Sequence, residues 1–332
     1  MYQNFYSLNA MPFQLTPDNR FYFGSQEHRR AMAFLEYGLS QREGFVVVTG
    51  EIGAGKTMLV EHLLSTLHPD EFVVARVVTT QLGGFDTLRM IATSFAIPSE
   101  GVEKGCLLGR VRAVFSSLQT QGRNAVVIVD EAQSLTKEAI EELRMLSNMT
   151  SGPRAPFQGI FLGQPEFRLA LSSPELQQLR QRVIASCHLG ALSSGDTRKY
   201  IEHRLTRAGW TGDPEFSDNA FEEIHRYSAG IPRRINSLCS RLLLLGYLEE
   251  RHAIDGIAVS SVAREMAAEL GTECVRTQPL QAAGEFRPEP ANESDDVLVR
   301  LRRVESATAK HDRAILRILD LALKHLPVPD GN

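Results

Sequence analysis

Gly50-Glu51-Ile52-Gly53-Ala54-Gly55-Lys56-Thr57 lies between the aliphatic run Phe45-Val46-Val47-Val48 and the amphipathic stretch Met58 to Leu67. A buried strand, a glycine-rich turn and a helix in that order make a cradle for phosphate. The glycines let the backbone curl so that its N–H groups face phosphate oxygens, and the helix adds its positive N-terminal end. On this reading Lys56 neutralises the β and γ phosphates and the Thr57 hydroxyl coordinates Mg2+, while Gly50, Glu51, Ile52, Gly53, Ala54, Gly55 and Met58 complete the nucleotide-binding loop. A glycine-rich turn without a ligand is the alternative for these eight residues taken alone.

Downstream, Val126-Val127-Ile128-Val129 delivers Asp130 and Glu131 at its C-terminal end, the side of an open α/β sheet where ligands bind. Asp130 is the second Mg2+ candidate. Glu131 is placed to take a proton from an attacking water. With the first motif present, two acids that merely cap a turn are the weaker reading, so the expected cofactors are ATP and Mg2+.

Outward from these two motifs, strands and helices alternate. Buried runs at Phe72 to Val78, Gly159 to Leu162 and Val183 to Leu189 join the two above, with helices over Gly105 to Gln121 and Thr136 to Asn148. Aliphatic strands without polar alternation indicate a parallel sheet covered on both faces, an α/β class. After Leu192 the pattern turns helical, over roughly 194 to 208, 217 to 229, 232 to 248 and 259 to 269. The expected organisation is therefore an N-terminal segment with a first helix packing on the ATPase domain (1–43), the ATPase domain (44–192), a helical lid (193–271), a Pro-containing linker (272–294) and an amphipathic C-terminal helix (295–326). Ser25 is the expected cap of the first helix, which carries Ala31, Leu35 and Leu39 at helical spacing.

Composition narrows the function classes. With 43% hydrophobic and 23% charged residues the chain falls in the ordinary globular range, and a net charge of -4 gives no overall attraction for polyanions. Cys106, Cys187, Cys239 and Cys274 form no CxxC pair, and the nine histidines form no HExxH pattern, so neither a disulfide framework nor zinc is expected. No apolar run reaches the roughly 18 residues needed to span a bilayer, and the opening residues lack a signal peptide's pattern. The expected location is the cytoplasm.

The alternating sheet, the two motifs and the helical lid resemble an AAA+ P-loop ATPase. The opening NFYSLNAMPFQLTPDNRFYFGSQEHRRAMAFLEYGLSQREGFVVVTGEIGAGKT resembles more specifically the ExeA/GspA-type secretion ATPases, and most of all those associated with exosortase (PEP-CTERM) and exopolysaccharide loci. The resemblance covers about residues 1 to 270 and lacks that family's transmembrane helix and peptidoglycan-binding domain. It implies three further roles. Gln164, after Gly159 to Leu162, matches sensor 1, with an exposed turn amide as the alternative. Arg180 and Arg182 match the arginine finger donated to a neighbouring subunit, with Arg182 preferred. In Gly230-Ile231-Pro232-Arg233-Arg234, Arg233 is preferred over Arg234 as sensor 2, because Pro232 suits a first helical turn. The resemblance also places the N-terminal segment at the adenine site, so that His28 and nearby Phe and Pro residues line it, with a packed, non-contacting His28 as the alternative.

These roles imply a homo-oligomer, as a ring or a nucleotide-dependent assembly, and as clients the components of an envelope export or exopolysaccharide machine. A DNA-dependent assembly regulator of the transposition type is the alternative. Nucleic acid is the less favoured partner, because no helix-turn-helix with basic recognition residues is present and the charge is acidic.

Overall fold

Every residue of Phe45–Gly50 (β1) is buried, and this strand sets the rest of the α/β domain around it. The computed structural model describes residues 1–78, 83–149 and 155–269; the expected linker and C-terminal helix lie outside the described residues. In chain order the helices are α1 (Tyr2–Phe5), α2 (Gln26–Gln41), α3 (Lys56–Thr66), α4 (Gly84–Ser94), α5 (Lys104–Thr120), α6 (Lys137–Asn148), α7 (Pro165–Leu171), α8 (Gln177–Arg180), α9 (Ser194–Arg207), α10 (Asp218–Ser228), α11 (Pro232–Leu248) and α12 (Gly256–Glu269). The strands after β1 are β2 (Phe72–Val78), β3 (Asn124–Asp130), β4 (Gln158–Gly163), β5 (Val183–Leu189), β6 (Glu215–Phe216) and β7 (Ala253–Ile254).

The main sheet has the order β2-β3-β4-β1-β5, and all its pairings are parallel. Successive side chains of a strand point to opposite faces, and here helices cover both. Phe45, Val47, Val127, Val129 and Phe161 pack with α4 to α7 on one side. Val46, Val48, Val126, Ile128 and Ile160 pack with α2 and α3 on the other. Two apolar faces explain the unbroken aliphatic runs in the sequence. The expected α/β sheet is present, and α4, α7 and α8 add helices that the sequence reading did not place.

Ser25 caps α2 as expected, its Oγ accepting from the His28 amide. The segment before it goes elsewhere. Residues 1–43 were expected to pack on the ATPase domain, yet Tyr6, Leu8, Phe13 and Phe21 are buried among α9, α10, α11 and α12 residues such as Ile201, Phe221 and Leu242. Within residues 1–43, α2 packs in the sheet-side core, and Asn19 and Tyr22 also reach α3. Nor is the region after Leu192 purely helical, since β6 and β7 pair in parallel; two-residue strands are too short to leave a periodicity.

Arg204 fastens this strap to the lid. Buried at 4% exposure, its guanidinium donates to the carbonyl oxygens of Pro12 and Gln14 and to the Tyr200 hydroxyl at 2.8 Å, and it lies over the Phe21 ring. Tyr200 passes the chain on to Asn236 Oδ1 at 2.9 Å, while the Asn9 amide donates to the Ala208 carbonyl at 2.7 Å. Arg204→Ala leaves buried acceptors without a donor. It is expected to cost about 3 kcal/mol in urea unfolding and to make residues 1–23 the first site of limited proteolysis; unchanged stability with a protected N-terminus would refute this account of the strap.

Candidate nucleotide site

The turn after β1 is left-handed at Gly53 (φ 83°) and Gly55 (φ 102°), a conformation that side chains other than glycine rarely adopt. Space forbids side chains there as well. A Cβ on Gly53 would fall 2.4 Å from Arg233 Cβ, and one on Gly55 would fall 2.9 Å from His28 Nε2. The helix α3 starts at once with Lys56, and its N-cap Gly55 has no side chain to satisfy the first amides. Those N–H groups form a cradle for an anion.

Lys56 is buried, and its Nζ folds back to donate to the carbonyl oxygens of Gly50 (2.7 Å) and Glu51 (3.1 Å). Burial pulls its pKa below the usual lysine value, opposed by Glu131, Asp130 and Glu51 nearby. Thr57 Oγ1 donates to Asp130 Oδ2 at 3.3 Å. A hydroxyl and a carboxylate are hard oxygen donors of the kind Mg2+ takes, so the residues present fit the ion.

Glu131 has φ 53°, a left-handed backbone that costs on the order of 1–3 kcal/mol in a residue other than glycine. Its Oε2 accepts from the side-chain amides of Gln164 (3.2 Å) and Gln133, and the Gln133 side-chain Oε1 in turn accepts from the Gln164 backbone N–H at 3.0 Å. Burial raises the Glu131 pKa, but these two hydrogen bonds and the Lys56 charge outweigh it, and the carboxyl is held below the ordinary range. Glu131 is therefore an aimed carboxylate. Gln133 was missed in the sequence, although its place two residues after Glu131 was a usable signal.

A cavity of about 350 Å³ opens over this loop, lined by Lys56 and Thr57, by Tyr22 and His28, and by Arg233 and Asn236. The expected site residues Ile52, Gly53, Gly55, Met58 and Glu131 also reach it. His28 is packed and lining at once: its Nδ1 meets Ser25 Oγ at 2.7 Å, and burial lowers its pKa to about 4. The Arg233 amide donates to the Gly53 carbonyl at 3.2 Å, whereas Arg234 is exposed and outside the lining. The Phe and Pro residues expected beside His28 reach the cavity as Pro17, Phe21 and Phe23, whereas Tyr200 and Asn236 were not anticipated, because their approach depends on the packing of the strap.

Arg180 and Arg182 lie at the far end of the sheet. The Phe45 amide donates to the Arg182 carbonyl at 2.9 Å, whereas the phosphate loop follows Gly50, which is in register with Leu189. Neither arginine can serve the loop of its own chain. Arg182 donates to Ser147 Oγ at 3.0 Å, to the Ser147 carbonyl and to Asn148 Oδ1, closing the C-terminal end of α6. Arg180 is exposed, with a 3.4 Å contact to the Ser172 carbonyl.

Two measurements follow from this geometry. Lys56→Ala should abolish nucleotide binding, whereas Glu131→Gln should keep affinity within about threefold and lower turnover by roughly 10²-fold or more, because an amide keeps the shape but accepts no proton. Equal loss of binding in both would contradict the division. Between the usual histidine value of 6.5 and about 4, the folded state binds fewer protons at His28 than the unfolded chain. Stability from this group is complete above that window and falls as pH drops through it, and His28→Asn should flatten that part of a stability–pH curve.

Residues 39–171 match the AAA domain family. General secretion pathway protein A of Aeromonas hydrophila is 36% identical over 268 residues, 80% of this chain and 49% of that protein, so the chain spans about half the length of this relative. Among solved structures, the Aeropyrum pernix ORC2 protein has a TM-score of 0.59 at 16% identity, covering 77% of this chain and 72% of its own. Cdc6p of Pyrobaculum aerophilum reaches 0.57 at 14% identity, covering 79% and 70%. At those identities the likeness concerns the fold alone, and it agrees with a parallel sheet followed by a helical part. The chain thus carries an AAA domain over residues 39–171 and is similar, over 80% of its length, to general secretion pathway protein A.

Proposed function

We propose that this protein binds ATP with Mg2+, hydrolyses it to ADP and phosphate, and couples its nucleotide state to the assembly or operation of an envelope secretion or exopolysaccharide export system. The observation that carries the hydrolytic part is Glu131, held by Gln133 and Gln164 at the mouth of the phosphate-loop cavity. Lys56 exchanges its two loop carbonyls for the β and γ phosphates. Thr57 and Asp130 would hold Mg2+, which when bound neutralises the charge on the phosphate oxygens. Glu131 takes the proton of the attacking water, and Gln164 orients that water. Arg233 follows the ligand from the lid side.

A second copy completes the site. Arg180, exposed at the end of the sheet away from its own loop, is the finger supplied to a neighbouring subunit's nucleotide, with Arg182 as the less suitable choice because it already closes α6. The assembly is a homo-oligomer, a ring or a nucleotide-dependent assembly. Among the described residues no helix is long and apolar enough to cross a membrane. The proposed placement is therefore the cytoplasmic face of the inner membrane, reached through partner proteins. The exosortase-associated subtype is the finer proposal, supported by the opening residues quoted above.

Arg180→Ala should lower kcat by about 10²-fold or more with ATP affinity nearly unchanged, because a finger acts on charge that develops in the transition state. Mixing it with Lys56→Ala, which retains Arg180, should restore part of the activity; no recovery in demonstrated mixed oligomers would exclude a shared site. For the process, affinity capture from a native host should recover envelope export components with Glu131→Gln. Recovery of DNA-processing proteins alone, with DNA-stimulated hydrolysis that disappears at moderate salt, would replace this reading by a DNA-dependent one.

A further inference from the structure

Arg76 interrupts an apolar row. On β2, Phe72 and Val74 pack with Val126 and Ile128 of β3 against α3, and the next residue on that face is an arginine. Its position is set by register: Arg76 pairs with Ile128 and Val78 with Asp130, so the long side chain reaches along the sheet to the end where the acids emerge. On α3, Thr57 and Glu61 are one turn apart and share a face.

These two rows meet in one charged cluster. Arg76 Nη2 lies 3.5 Å from Asp130 Oδ2, the oxygen that also accepts the Thr57 hydroxyl at 3.3 Å. Arg76 Nη1 is bonded to Glu61 Oε1. The Arg76 Nε is buried and has no hydrogen-bond partner, so the guanidinium is anchored through its two terminal nitrogens. The Asp130 side chain is 12% exposed, against 32% for Arg76 and 35% for Glu61, which places the shared oxygen at the least hydrated point of the three.

Resting on the reading of Thr57 and Asp130 as the Mg2+ ligands, we propose that Arg76 is a positioning residue that competes with the divalent ion for Asp130, and that Glu61 sets the strength of the competition by holding Arg76 aside. A guanidinium does not lose its charge in a protein, so it cannot be neutralised as the ion arrives. Movement toward Glu61 is the remaining way to lower the repulsion. Glu61 is close enough to retain it, and Arg76 then stays paired while Asp130 turns to the metal. The device makes loading of the ion, separately from loading of the nucleotide, a regulated step.

The test is direct binding of Mn2+, followed by its electron paramagnetic resonance signal, to the full-length protein with a saturating non-hydrolysable ATP analogue. Arg76→Gln should lower the half-saturating Mn2+ concentration by about threefold or more, and Glu61→Gln should raise it by about threefold, as expected for one partly screened charge at this range. Arg76→Lys should stay near wild type, because the charge is kept. The double variant should follow Arg76→Gln, because Glu61 acts through Arg76. Single variants that shift the same way, or neither of which shifts, would overturn the proposal. Glu61 is half-exposed, so its variant carries the test even where Arg76→Gln does not fold. Binding of a fluorescent ATP analogue in chelator is measured alongside. A wild type that binds neither nucleotide nor Mn2+ defeats the ATPase reading itself, whereas normal wild-type binding with unshifted variants defeats this inference alone.

Discussion

The structure depends on one crowded backbone turn. Gly53 and Gly55 are pressed from two sides, by the Cβ of Arg233 and by the His28 ring, so the phosphate loop is shaped by contacts as well as by its own glycines. Each of the pressing groups comes from a different packed body. His28 is fixed by α2, which is buried against the sheet, and Arg233 opens α11, which is buried in the lid cluster. A loop whose N–H groups must converge on an anion gains preorganisation from being over-determined in this way.

Electrostatics at the same place are closely balanced. Lys56, Asp130, Glu131, Arg76 and Glu61 bring two positive and three negative charges around the start of α3, before any ligand is considered. Buried charges persist only where others compensate them. Lys56 leans on carbonyl oxygens, Asp130 on Thr57 and Arg76, and Glu131 on two amides. A nucleotide with its cation would bring both signs and would exchange these internal partners for external ones. Mechanically, binding is a re-pairing of charges already in place.

Much of this was readable in the sequence, and the reason is burial. A strand covered on both faces must be aliphatic throughout, so β1 and β3 announce themselves, and the groups at their C-terminal ends follow by topology. Ser25 was readable because a cap acts within three residues. What escaped were contacts between distant segments. The aromatic residues of 1–23 signal burial but not the surface they cover, and that surface proved to be the lid. Arg182 looked the more suitable finger in the sequence, and its bonds to Ser147 and Asn148, far away in the chain, could not be read there. Gln133 and Arg76 acquire meaning only once Glu131 and Asp130 are placed beside them.

The strap also determines how the two large bodies can communicate. Tyr6, Phe13 and Phe21 are committed to the lid core, while Tyr22 stacks on His62 of α3 with ring centroids 3.8 Å apart and the Asn19 side chain reaches the Glu61 carbonyl at 3.4 Å. The strap therefore touches the same helix that begins with Lys56 and carries Glu61. Its lid-side attachment is apolar and extensive, reinforced by buried Arg204, whereas its contact with α3 rests on one stacked pair and a long hydrogen bond. Contacts of such unequal strength yield at the weaker one. The boundary between the helical part and the sheet domain runs through the cavity lined by Tyr22, His28, Lys56 and Arg233. A ligand in that cavity would touch residues of both parts, so a difference in its affinity for two arrangements would shift the balance between them.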